Sequence, residues 1–237
     1  MSGHSKWANI KRNKEANDKV KGNIFAKLSR AIILSVSEGG GIPDPDLNVQ
    51  LRLAVEKAKQ YNMPKENIQR AIEKASGPEK TMLKEVQYEA FGPGGTALLI
   101  LAATDNGNRT FSEVRNTVEM NGGKMGGQGA VNYLFVKGAA IQFGREVNQE
   151  EDVFVFAEQG HALDFDEDEE FYYVFLPFQE LGKLKETSHL KGNAPEIEFR
   201  PSTYLSLSSE DSEKLQKLIG AIEDLDDVQN VFTNAEL

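Results

Sequence analysis

The spacing of apolar residues changes period near residue 80, so the chain must combine two kinds of module. From Asn23, the positions Ile24, Leu28, Ala31, Ile32, Ser35 and Val36 recur at a helical spacing and share one face; the run stops at Glu38-Gly39-Gly40-Gly41. After a Pro43-Asp44-Pro45-Asp46 turn, Val49, Leu51, Leu53, Ala54, Val55 and Ala58 predict a second helix that reaches Tyr61. A third opens with Pro64 in its first turn, turns Ile68, Ala71 and Ile72 inward, and closes before Gly77-Pro78. Proline at a helix start and glycine at its end is the expected asymmetry, because the first turn has no partner for its N–H groups and the exit favours a residue free of Cβ. Residues 1–80 read as an all-helical domain.

Beyond Thr81 the pattern becomes short β-rich runs alternating with amphipathic segments, an α+β sign. Strands are expected at Val86–Phe91, Ala97–Thr104 and Val131–Val136, with a helix at Arg109–Met120. Near the end, Tyr204–Leu207 precedes a helix at Ser209–Ile222 and a strand at Val228–Phe232. Joined across the gap, these pieces make the split βαβ arrangement of a ferredoxin-like sandwich. The stretch between repeats the plan: strands near Ala140–Phe143, Ala162–Phe165, Phe171–Leu176 and Glu196–Phe199, with helices at Asn148–Glu158 and Phe178–Ser188. The expected fold class is therefore α+β and multidomain: a helical domain followed by two ferredoxin-like α/β domains, one inserted in the other. The boundaries are 1–80, 81–137 with 201–237, and 138–200; a plain tandem of α/β lobes is the competing arrangement.

Charge divides at the same place. The first thirty residues hold eight Lys and Arg against two acids, in a chain of net charge −10. Through Lys80 there are 15 basic and 9 acidic residues, and the remainder carries 12 and 28. A basic module on an acidic body suits a polyanionic partner. The candidate contacts are Lys6, Lys11, Arg12, Lys14, Lys19, Lys21, Lys27 and Arg30, interleaved with Trp7, Ile10, Val20, Ile24 and Phe25. If six such cations met phosphates, affinity would fall about 10³-fold between roughly 50 and 200 mM salt. Trp7 either stacks on an exposed base or anchors the helical core. The bland alternative for the whole segment is a solvated lysine-rich tail.

No other motif supports catalysis or a cofactor. There are no cysteines, which removes disulfides, thiolate metal sites and cysteine nucleophiles. Gly92-Pro93-Gly94-Gly95 reads as a hairpin turn before it reads as a phosphate cradle. Asp105-Asn106-Gly107-Asn108-Arg109-Thr110 runs from strand to helix and reads as a cap, with anion binding as the sharper alternative. Gly122-Gly123-Lys124-Met125-Gly126-Gly127-Gln128-Gly129 lacks the GxxxxGK[ST] order of a P-loop and follows a helix where a P-loop follows a strand, so a mobile loop is expected. Asp164 to Glu170 begins like a calcium loop, but Glu169 replaces the required glycine and Phe175 the bidentate Glu; a solvated acidic turn is the simpler reading. His4, His161 and His189 have no ligand spacing. No metal, cofactor or catalytic residue is expected. The longest strongly apolar stretch, Ala97–Ala103, is far shorter than the ~18 residues of a membrane span, and the N-terminus has no apolar signal core. A cytoplasmic protein is expected.

Several segments resemble the YebC/PmpR family: Gly3-His4-Ser5-Lys6-Trp7-Ala8-Asn9-Ile10-Lys11, Glu38-Gly39-Gly40-Gly41, Leu51-Arg52-Leu53-Ala54 with Lys57-Ala58, and Asn62-Met63-Pro64-Lys65-Glu66-Asn67-Ile68. The likeness continues in Tyr88-Glu89-Ala90-Phe91-Gly92-Pro93-Gly94-Gly95, in Thr104-Asp105-Asn106 with Asn108-Arg109-Thr110, and in Val131 to Phe135. The resemblance implies a three-part fold and a cytoplasmic, non-enzymatic regulator of gene expression. Such proteins are described as DNA-binding transcriptional regulators; others, including mitochondrial translational activators, act as ribosome-associated factors at proline-rich stalls. The implied partner is DNA or ribosomal RNA on the ribosome. Gly107 stands where relatives often carry arginine and Ala90 where glycine is common, so the resemblance carries function to the N-terminal cations and not to these loops.

Overall fold

A computed structural model of the chain describes residues 21–77, 82–180, 190–193 and 195–236. These fall into two compact units: the chain leaves the first after Phe135 and returns to it at Pro201, and Val136–Arg200 form the second.

The first unit opens with three helices, α1 (Lys21–Glu38), α2 (Val49–Gln60) and α3 (Lys65–Ser76). Their apolar faces meet as the spacing requires: Leu28, Ile32, Val36, Leu51, Val55, Ala58, Ile68 and Ala71 share one buried cluster. The α1–α2 turn is fixed by Asn48. Its side chain accepts from the Leu51 N–H at 3.1 Å and donates to the Ser35 carbonyl at 2.9 Å, so one residue caps α2 and holds the exit of α1. Gly40 and Gly41 make that exit at φ 75° and 78°, where a Cβ would be strained.

The strands β1 (Lys84–Phe91) and β2 (Ala97–Thr104) form an antiparallel hairpin, followed by helix α4 (Gly107–Met120) and the two-residue strand β3 (Lys124–Met125). Helix α6 (Ser209–Glu223) and strand β8 (Val228–Thr233) complete the sheet, whose order is β3-β1-β2-β8. Val114 and Val118 of α4 and Leu215, Leu218, Ile219 and Ile222 of α6 cover one face. Every residue of β2 is buried, as its unbroken run of small and aliphatic residues implies, because the helical segment reaches the opposite face: Ala103 belongs to the same cluster as Ile32 and Leu51.

The second unit contains β4 (Phe135–Gly144, entering from the boundary), α5 (Glu150–Gln159), β5 (Asp164–Glu167), β6 (Phe171–Pro177) and β7 (Glu196–Pro201), ordered β5-β6-β4-β7. In both sheets a β-α-β crossover is split by a strand. The splitting strand precedes the crossover in the first sheet, as β1, and follows it in the second, as β6. The molecule is thus α+β and multidomain.

Three sequence expectations need correction. Val131–Val136 is not a strand of the first sheet: Asn132–Leu134 is a 3₁₀ turn, and the strand begins at Phe135 in the second sheet. The third strand of the first sheet lies instead inside the glycine-dense stretch, where glycine hid it. Tyr204–Leu207 contributes only an isolated bridge from Leu205 to Ala235. Of the helix expected at Phe178–Ser188, the described part is a 3₁₀ turn over Phe178–Glu180; the rest lies outside the described residues.

Candidate nucleic-acid interface

Six of the nine residues singled out for nucleic-acid contact (Lys6, Trp7, Lys11, Arg12, Lys14 and Lys19) lie outside the described residues, and Lys21 is the first residue of α1. Lys27 and Arg30 are both half-buried and engaged by the protein's own acidic end. The Lys27 ammonium donates to the Glu223 carbonyl at 2.5 Å, at the C-terminus of α6, where the helix dipole favours a cation. Burial pulls its pKa below the ordinary lysine value, against the opposing pull of Glu223, Asp224 and Asp226. Arg30 Nη1 reaches Asp227 at 2.8 Å and the Ala103 carbonyl at 3.4 Å. Lys27 thus joins α1 to α6, and Arg30 joins it to β2 and to Asp227 just before β8.

Asp227 is the hub of this joint. It is 2% exposed and also accepts from Arg109 Nη2 at 2.7 Å and the Thr110 hydroxyl at 2.6 Å; the Thr110 and Thr104 hydroxyls lie 2.8 Å apart. Burial alone would raise its pKa, but the bonds from Thr110 and Arg109 and the positive charges of Arg30 and Arg109 outweigh it, and the carboxyl titrates below its ordinary range. The Asp105-to-Thr110 segment therefore does what a cap does. Asn106 accepts from the Arg109 N–H at 3.2 Å, while the Arg109 guanidinium bridges Asp227 and Asp105. An anion arriving there would have to displace two carboxylates.

The cations that do face solvent in the described helical segment are Arg52 and Lys59 on α2, and Lys65, Arg70 and Lys74 on α3. Arg70 and Lys74 are four residues apart and so share a face. Sequence reasoning concentrated on the first thirty residues and passed over these five. The sequence signal for them is weak, because residues 31–80 hold 7 basic and 7 acidic residues and so carry no net charge.

The glycine-rich segments are structural supports. Gly92-Pro93-Gly94-Gly95 turns β1 into β2, with the Gly92 N–H on the Thr96 carbonyl at 2.8 Å and Gly94 and Gly95 at positive φ. The longer stretch is tethered, contrary to the mobile loop expected. The buried Glu89 carboxylate accepts from the N–H groups of Gly129 at 2.6 Å, Val131 at 2.6 Å and Asn132 at 2.8 Å, and the Glu89 carbonyl accepts from Gly126 at 2.8 Å. Burial works to raise the Glu89 pKa, yet the three amide donors prevail and hold it low. In the acidic stretch, Asp168 closes the β5–β6 turn by accepting from the N–H groups of Glu170 and Phe171 at 2.8 Å and from the Tyr173 hydroxyl at 2.7 Å. Burial first, and then Asp168, keep the Tyr173 phenol protonated far above its ordinary range. Among the described residues there is no group of three or more His, Cys, Asp or Glu placed to hold a metal ion, and no helix long and apolar enough to cross a membrane.

Comparison with known proteins covers nearly the whole chain. Residues 5–78 match the model of the TACO1/YebC protein N-terminal domain, and residues 83–235 match that of the TACO1/YebC second and third domain. A probable transcriptional regulatory protein of Caldanaerobacter subterraneus is 46% identical over 242 residues, covering 100% of this chain and 99% of its own. One of Thermoanaerobacter pseudethanolicus is likewise 46% identical, with 100% and 98% covered, and one of Brachyspira hyodysenteriae is 40% identical, with 100% and 97% covered. Among solved structures, the crystal structure of a conserved hypothetical protein from Aquifex aeolicus is similar with a TM-score of 0.81 at 38% identity, over 92% of this chain and 91% of that one.

Proposed function

This chain belongs to the TACO1/YebC family, and on that premise we propose that it is a non-enzymatic, cytoplasmic regulator of transcription that grips DNA locally through its basic N-terminal segment. The carrying observation is the division of charge: 15 basic against 9 acidic residues through Lys80, and 12 against 28 beyond it. Phosphates are attracted at one end and repelled by the rest, which limits the footprint to the helical end. The contact set we assign is Lys6, Trp7, Lys11, Arg12, Lys14, Lys19 and Lys21, supported by the exposed Arg52, Lys59, Lys65, Arg70 and Lys74. Lys27 and Arg30 drop out, because Glu223 and Asp227 engage them. A regulatory role is supported by the names of the relatives, which are probable transcriptional regulatory proteins.

Crosslinking the protein to nucleic acid in cells and sequencing what is attached tests this reading. Enrichment of DNA upstream of a defined set of genes is expected. Ribosomal RNA as the dominant crosslinked species would overturn it in favour of action on the ribosome.

A further inference from the structure

The second unit carries a surface of the opposite character. Residues 136–200 contain 15 acidic residues and 6 basic ones, and α5 alone has Glu150, Glu151, Asp152 and Glu158 with no cation. The water-facing side of such a helix is ordinarily polar. Yet Phe154 is 49% exposed and Val155 48%, with Val147 at 59% before the helix and Leu163 at 53% after it. The inner face of α5 is already served by the buried Val153 and Ala157.

These residues are held in place. The Phe154 ring meets Phe165 edge-on at 5.8 Å, and Phe165 stacks on Tyr172 at 6.2 Å, so the exposed ring stands on an aromatic column that runs into the core. Leu163, also exposed, immediately precedes β5 and stands two residues before Phe165. Glu158 follows Phe154 by four residues and Glu151 precedes Val155 by four, so carboxylates flank both apolar side chains along the helix surface. Arg145 is occupied: it bonds Glu167 at 3.0 Å and the Asp168 carbonyl at 2.7 Å, with its guanidinium over the Tyr172 ring.

We propose that this face of α5, with Val147 and Leu163 at its margins, is a docking surface for a basic protein segment that carries apolar anchors between its lysines or arginines. Charge complementarity selects the occupant. A phosphate backbone is repelled by the carboxylates, and a second copy of the same face would oppose acid to acid. An aromatic anchor already ordered by its neighbours costs little conformational entropy on binding, the usual condition for an interface hot spot. The proposal does not depend on the nucleic-acid reading: it gives the protein a second, protein-directed contact in a different unit.

The test uses the full chain and a fluorescent synthetic peptide of lysine and leucine patterned as an amphipathic helix, with a scrambled peptide of the same composition as control. The patterned peptide should bind more tightly than the scrambled one and slow amide exchange in α5. Phe154→Ser with Leu163→Ser should weaken it about tenfold, and Glu151→Lys with Glu158→Lys should weaken it and flatten its salt dependence. DNA affinity should be unchanged in both. Val155→Ser, which leaves the Phe154–Phe165 contact alone, should also weaken the peptide and guards against a folding defect in the first variant. Equal binding of the scrambled peptide, indifference to all three variants, protection of α5 by single-stranded RNA, or self-association lost in the Phe154 variant would each overturn the proposal.

Discussion

The two units solve the burial of charge in mirror-image ways. In the first, a buried acid collects cations: Asp227 takes Arg30 from α1 and Arg109 from α4. In the second, a buried cation collects acids: Arg200 meets Asp164 at 3.1 Å and Glu198 at 3.3 Å, with its guanidinium 4.1 Å from the centre of the Phe175 ring. The difference lies in what each hub joins. Asp227 ties a basic helical segment to the acidic C-terminal segment, so it converts the charge asymmetry of the sequence into a joint. Arg200 instead offsets excess acid within a single sheet, pairing with Glu198 on its own strand β7 and with Asp164 of β5.

Breaking the first hub should have the largest effect. Asp227→Ala leaves Arg30 part-buried without its carboxylate and removes one of the partners of the Thr110 hydroxyl, which should cost about 3 kcal/mol in urea unfolding. The comparison also has opposite pH signatures. Asp227 and Glu89 have folded pKa values below their unfolded ones, so their contribution is present above about pH 4 and is lost as pH falls through the folded values. Glu198 has the reverse shift: burial raises its pKa despite Arg200, so its cost is complete above the folded value and is relieved as pH falls to the unfolded one. Amide exchange followed from neutral pH downward should therefore show α1 and the first sheet losing protection before β6 and β7. Simultaneous loss, or loss from the second unit first, would contradict the contrast.

A smaller effect is expected at Glu89. Glu89→Gln keeps the shape but turns an amide donor toward backbone N–H groups that the carboxylate now accepts, and should cost about 2 kcal/mol. Exchange at Gly129, Val131 and Asn132 should rise while α1 is unaffected. If those amides exchanged as before, the tether would not be what orders the glycine stretch.

Much of this was legible in the sequence, for identifiable reasons. The helices of the first unit followed from the 3.6-residue repeat and its glycine and proline punctuation, and β2 from its unbroken apolar run; both are local signals. The two-residue strand Lys124–Met125 was not, because it exists only through its pairing with Ala90 and Phe91. The placement of Lys27 and Arg30 was equally hidden. Lys27 bonds a carbonyl 196 positions away, and nothing in the local spacing separates a lysine facing phosphate from one facing the C-terminus of α6. The family resemblance supplied the broad function, while the division of cations between joint and partner came from the fold.

That division is the central claim, and salt-dependent DNA binding tests it most directly. A duplex should be titrated at several salt concentrations with the wild-type chain, with Lys6→Gln, Lys11→Gln, Arg12→Gln and Lys14→Gln combined, and with Lys27→Gln and Arg30→Gln combined. The first variant should lose affinity and reduce the slope of log affinity against log salt by about 3.6, or 0.9 per phosphate contact removed. The second should be less stable but bind with an unchanged slope. A reduced slope in the Lys27 and Arg30 variant, with none in the four-residue variant, would place the grip on α1 and contradict the account.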